Sequence, residues 1–178
     1  MRILILLLIT FSLFSCKYRN SREKEIRDNL QKEINLEMVD TIKDKNNEIS
    51  FDNFRNKYKY IYLVYLQQGC VPCYPKYITW QKKMSFVNKF NYVTVLFIIK
   101  GDSYDEFIEE ALKEGLGEDR FYTFMDPLDS FINTNKDIPG WIIESTFLID
   151  EKNRIILIGS PFTTPEMTKV FYDICSEH

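Results

Sequence analysis

The run Tyr60-Ile61-Tyr62-Leu63-Val64-Tyr65-Leu66, followed after three residues by Cys70-Val71-Pro72-Cys73, decides how this chain is read. The first stretch is aromatic and β-branched throughout, which suits a buried strand spanning about Tyr58 to Leu66. A helix-forming segment starts directly behind Cys73 and runs to about Lys89, with Pro75 bending or delaying its first turn. A cysteine at the handover from a strand to a helix N-terminus faces amide dipoles that favour the thiolate over the thiol. Two cysteines at this spacing and place point to thiol–disulfide exchange.

Outward from this pair the chain alternates strands and helices. Asn91 to Ile99 is the clearest strand, and Asp102 to Leu116 reads as a helix capped by Asp102 or Ser103 and stopped by Gly115 or Gly117. A short strand at Phe121–Met125 and a brief helix near Leu128–Asn133 follow. Ser145–Ile149 and Arg154–Ile158 form a hairpin across Asp150-Glu151-Lys152-Asn153. A last helix begins at Thr163 or Thr164, where Pro165 suits the first helical position and Thr163 and Glu166 have capping-box spacing. This order predicts an α/β sandwich on a mixed central sheet flanked by helices.

The 178 residues are 45% hydrophobic and 15% aromatic, enough to bury a core without structural disulfides. The formal charge is −3, with both signs mixed along the chain, so no nucleic-acid partner is implied.

Residues 1–15 read as a leader. Arg2 precedes an apolar or hydroxyl-bearing run from Ile3 to Phe14, which is too short for a helix to span a bilayer core of roughly 30 Å. It ends in Leu13-Phe14-Ser15-Cys16, which resembles the bacterial lipobox and implies cleavage before Cys16 and lipid attachment to its sulfur. The mature chain is then lipid-anchored to a membrane of the cell envelope and faces the periplasm. There a disulfide-forming dithiol is chemically at home. No second Cys pair exists and His178 is the only histidine, so neither a metal site nor metal delivery is supported.

Residues 16–48 read as a lipid-anchored tether or charged helix, and 49–178 as the α/β domain. Ile26, Leu30 and Ile34 recur every four residues, which predicts a helix with a thin apolar stripe from about Ser21 to Val39. Asp44-Lys45-Asn46-Asn47 reads as a linker.

Taken together, these features resemble the thioredoxin superfamily, and within it the membrane-tethered TlpA/ResA-type thioredoxins. The resemblance rests on Ile49-Ser50-Phe51-Asp52-Asn53-Phe54 ahead of the Cys70–Cys73 strand, on Phe121–Asp126 as an inserted strand, and on Thr146-Phe147-Leu148-Ile149-Asp150 as the penultimate strand. It spans roughly residues 48 to 176. It implies a thioredoxin-like fold and exchange with protein thiols and disulfides, needing no cofactor. Cys70 would be the exposed attacking thiolate and Cys73 the buried resolving thiol, with Pro72 stiffening the turn between them.

The sequence departs from that pattern twice. Gly69 stands where the family has an aromatic residue, and Glu144 stands where it has a cis-proline facing the dithiol. Without proline a cis bond costs about 2.5–4 kcal/mol, so a trans bond is expected at Glu144. Its carboxylate either faces the dithiol, raising the Cys70 pKa and serving Cys73 as proton acceptor, or points into solvent. The alternative function is a thioredoxin-like binding or assembly module with little or no turnover. Peroxidase chemistry is disfavoured, since no Thr-x-x-Cys stands at the strand end.

Cys175, beside Val170, Phe171 and Ile174, reads as an inert buried thiol. Trp80 reads as core, Trp141 as core or groove, and Glu106, Glu109 and Glu110 as a solvated face.

Overall fold

Alternation along two central strands builds two cores, one on each face of a single sheet. The computed structural model describes residues 21–45, 47–83 and 90–176. Strand β3 (Tyr60–Gln67) pairs in parallel with β4 (Val93–Lys100), with Tyr60 opposite Val93 and Gln67 opposite Lys100. Tyr60, Tyr62, Val64 and Leu66 face the first core, together with Val93, Val95, Phe97 and Ile99. Helices α3 (Cys73–Lys83), α4 (Tyr104–Lys113) and α7 (Pro165–Ser176) cover that face through Tyr77, Trp80, Phe107 and Phe171. The opposite face presents Ile61, Leu63, Leu96 and Ile98 to the second core. There the covering helices are α2 (Phe51–Lys57), α5 (Ser130–Thr134) and α6 (Gly140–Ser145).

Strand β5 (Tyr122–Met125) extends the parallel set beside β4. Beyond β3, strands β6 (Phe147–Ile149) and β7 (Ile155–Ile158) run antiparallel. With β1 (Thr41–Asp44) and β2 (Asn47–Ser50), the order is β2-β1-β5-β4-β3-β6-β7, which is the expected mixed sheet flanked by helices. The dithiol turn follows β3, which lies between parallel β4 and antiparallel β6.

The N-terminal part differs from expectation. Helix α1, over residues 21–29, stops ten residues short of Val39, and Leu30 is 36% exposed. Gln31 turns through the left-handed region (φ 69°), after which the backbone takes β7 as its partner. The amide of Gln31 donates to the carbonyl of Ile155 at 2.8 Å, that of Ile155 to Lys32 at 2.9 Å, and that of Ile34 to Asn153 at 2.8 Å. The chain then crosses the second core, burying Ile34, Leu36, Val39 and Ile42. It closes as a hairpin of β1 (Thr41–Asp44) and β2 (Asn47–Ser50) beside β5.

Asp44 and Asn47, expected in a linker, instead pair across the hairpin, and Ile34, Leu36, Val39 and Ile42 pack in the second core. Burial of these four aliphatic side chains, each contributing roughly 1.5–3 kcal/mol, outweighs the weak four-residue stripe. Cys16, the leader and the last turns expected for the helix up to Lys89 lie outside the described residues.

The helix ends follow local chemistry. Ser103 rather than Asp102 caps α4, its hydroxyl accepting from the amide of Glu106 at 3.3 Å. Gly115 at φ 95° ends it. Thr164, not Thr163, caps α7 by accepting from the amide of Met167 at 3.2 Å. The Thr163 hydroxyl is turned to the carbonyl of Ser160, so the capping box anticipated at Thr163 and Glu166 does not form.

Candidate active site

Cys70 and Cys73 are joined as a disulfide, with Cα atoms 5.3 Å apart, at the start of α3. The turn folds on its own backbone: Cys70 donates its amide to Gln67 at 3.3 Å, and Cys73 donates to Cys70 at 2.9 Å. Val71 is 82% exposed, and Pro72 is exposed beside it. Both cysteines are half-buried in the oxidised pair. They differ in hydrogen bonding. The Cys73 sulfur accepts the Gln67 amide at 3.4 Å, and no described donor reaches the Cys70 sulfur.

Gly69 explains the first departure from the thioredoxin pattern. Its φ of 75° belongs to the left-handed region, where an aromatic L-residue would be strained. Its amide donates to the Tyr74 hydroxyl at 3.0 Å, which closes the turn over the first residue of α3 beyond the dithiol. Gln68 fixes the other side. Its side-chain oxygen accepts the amides of Asp102 (3.1 Å) and Ser103 (3.4 Å), and its NH2 donates to Glu106 at 3.0 Å. A Cβ on Gly101 would lie 2.7 Å from the Gln68 Cβ, so glycine there makes room for this brace.

Glu144 is the last residue but one of α6 and is exposed. No peptide bond among the described residues is cis, and the segment Gly140–Ser145 is helical rather than an extended proline-led strand. The chain leaves α6 through buried Thr146 at φ 73°, whose carbonyl accepts the Gly159 amide at 2.8 Å. What Glu144 offers toward α3 is its carbonyl, which takes the Lys76 ammonium at 2.6 Å.

Lys76, three residues after Cys73, is a functional candidate that sequence reading missed. Its ammonium also donates to the carbonyl of Tyr65 at 3.3 Å. Burial pushes its pKa down to about 8, an effect that the Glu144 carboxylate partly opposes. Nothing in its sequence surroundings marks it, because a lysine on a helix usually reaches solvent.

Behind α3 a groove of about 370 Å³ runs between Lys76 and Lys83 on one side and Ser145, Thr146 and the β7–α7 loop on the other. Trp80 is core, as expected, and its ring meets Phe162 edge-on at 5.1 Å. Trp141 packs half-buried against the second core and also reaches α1: its indole N–H donates to Glu25 at 2.6 Å, and Arg22 sits 4.6 Å over the ring. Cys175 is buried and its thiol is pushed up to about 12 by desolvation. Among the described residues no helix is long and apolar enough to cross a membrane.

No protein-family model and no curated protein matches the sequence. Solved structures match it by shape. The thioredoxin domain of a thiol-disulfide oxidoreductase from Bacteroides vulgatus is similar over 77% of this chain and 95% of its own, with a TM-score of 0.51 and 16% identity. A secreted thiol-disulfide isomerase from Corynebacterium glutamicum matches over 74% and 76%, with a TM-score of 0.51 and 20% identity. A thiol:disulfide interchange protein from a Bacteroides species matches over 78% and 86%, with a TM-score of 0.50 and 15% identity. The fold is thioredoxin-like.

Proposed function

We propose that this chain is a thiol–disulfide oxidoreductase that exchanges disulfides with protein substrates through Cys70 and Cys73. The observation that supports this most is the Cys70–Cys73 pair at the start of α3, directly after the interior strand β3 of a thioredoxin-like sheet.

In the reduced protein the amides of the first turn of α3 and the Lys76 cation one turn on both favour a thiolate at the dithiol. The Cys70 thiolate attacks one sulfur of a substrate disulfide, forming a mixed disulfide and releasing the other substrate sulfur as a thiolate. Cys73, giving its proton to the released substrate thiolate, then attacks the Cys70 sulfur. This forms the Cys70–Cys73 disulfide and expels the second substrate thiolate, so two electrons pass to the substrate. The reverse sequence oxidises a substrate dithiol. Pro72, lacking an amide hydrogen, stiffens the turn and helps set the balance between the two directions.

A second reading is a binding or assembly module without turnover. It draws on the helical α6, which replaces the segment against which thioredoxins lay a substrate strand. Reduction of insulin by wild type and by Cys70→Ser separates the two. Turnover lost in the variant supports the enzyme, whereas equal inactivity supports the module. Comparing the Cys70 pKa in wild type and Glu144→Gln tests the proposed action of Glu144 on the thiolate. A fall in the variant is expected, and an unchanged value rejects it.

The leader and Cys16 support a lipid-anchored, periplasm-facing protein of the cell envelope. Labelling with a radioactive fatty acid should mark the wild type and spare Cys16→Ala.

A further inference from the structure

We infer that the groove behind α3 receives an acidic segment of the substrate polypeptide, next to the cysteine that engages Cys70. This rests on the thiol–disulfide reading above and adds a substrate class to it.

The groove begins at Pro75 and Lys76, two and three residues beyond Cys73, so chain entering it lies beside the dithiol. Lys76 and Lys83 are its charged lining residues, and no carboxylate lines it. This is a local cationic strip on a chain whose formal charge is −3. Two of the three Lys76 N–H groups are taken by the Tyr65 and Glu144 carbonyls, and no described residue takes the third. The Lys83 ammonium is exposed, 5.8 Å from the Phe162 ring centre.

The hydroxyls along the wall complete the match to a peptide. Those of Ser145 and Thr163 spend their hydrogens on the carbonyls of Trp141 and Ser160, which leaves lone pairs for peptide N–H groups. Lys76 is still a cation at neutral pH. Because burial has stripped part of its hydration, an anion beside it recovers more than it would from a fully solvated lysine. Glu144 lies outside the lining but acts on Lys76, so it weakens this preference.

The test uses reduced full-length mature protein and three disulfide-bridged peptides whose flanking residues are acidic, neutral or basic. The second-order rate of peptide reduction at low salt should be about five- to tenfold higher for the acidic than for the basic peptide, and the ratio should shrink at high salt. Lys83→Glu should bring the ratio to about one or below, and Glu144→Gln should raise it. Equal rates for all three peptides, with exchange still dependent on Cys70, overturn the inference and leave the oxidoreductase reading standing.

A binding arm is independent of turnover. A cysteine-free acidic peptide should shift the backbone resonances of Thr79, Lys83 and Ser160 in the oxidised protein saturably, and its basic counterpart should not. If neither peptide does so, the inference fails even where no exchange is detected.

Discussion

The Lys76 ammonium donates to the Glu144 carbonyl at 2.6 Å, joining the helix that starts at the dithiol to α6. This contact leaves the lysine partly desolvated.

That desolvation has a signed consequence for pH. The folded pKa of Lys76, about 8, lies below its ordinary 10.5. Between these values the unfolded chain holds the proton that the folded chain has released, so stability rises with pH across that window. Below about pH 8 the burial of the charge costs stability in full, and above about 10.5 the slope vanishes. Urea midpoints of wild type minus Lys76→Met should therefore increase from about pH 7.5 to about pH 9.5. Parallel curves for the two proteins reject the assignment.

At Gly69 nothing lies within 4 Å of an added Cβ, so the cost of a side chain there is backbone strain alone. Gly69→Ala should destabilise the oxidised protein by about 1–2 kcal/mol in denaturant titration, and Gly69→Asn by less. A loss near zero for alanine would mean the turn has another accessible shape.

Gly101→Ala fails for a different reason: the new methyl collides with Gln68, which braces the dithiol loop against Asp102, Ser103 and Glu106. Overpacking of this kind costs about 1–3 kcal/mol. Combining it with Gln68→Ala, which empties the space, should restore part of the loss, so the double variant is more stable than the sum of the singles predicts. Strict additivity would place the clash elsewhere.

Trp141 ties α1 to α6 by one hydrogen bond and one stacked guanidinium. Trp141→Phe keeps a ring beneath Arg22 but loses the bond to Glu25. Amide exchange over residues 21–29 should accelerate by about ten- to a hundredfold, since a lost bond to a charged group is about 1.5–3 kcal/mol, while β3 and β4 remain protected. Equal acceleration in β3 would show that α1 is not a separate unit.

Long apolar elements were legible in the sequence. Tyr60–Gln67 and Val93–Lys100 announce themselves because both faces of a parallel strand are buried. The dithiol pair and its helix followed from them. The hairpin of β1 and β2 was not legible, since Thr41–Asp44 and Asn47–Ser50 hold one aliphatic residue each and rest at a sheet edge. Ile34, Leu36 and Val39 fit neither a 2.0 nor a 3.6 residue period, because the segment crosses a core without regular structure. Pro139-Gly140 reads as a turn, so six-residue α6 was invisible. With α6 went the burial of Lys76, which exists only once α6 packs beside α3.

The pairing of residues 31–34 with residues 153–155 joins two distant parts of the chain. These early residues leave the ribosome well over a hundred positions before their partners do, and Asn35 likewise waits for Asn135. Contacts between such distant parts of a chain close slowly, because the intervening loop must first lose its entropy. During synthesis the N-terminal wrap therefore cannot close over the second core until residues 153–155 have been made.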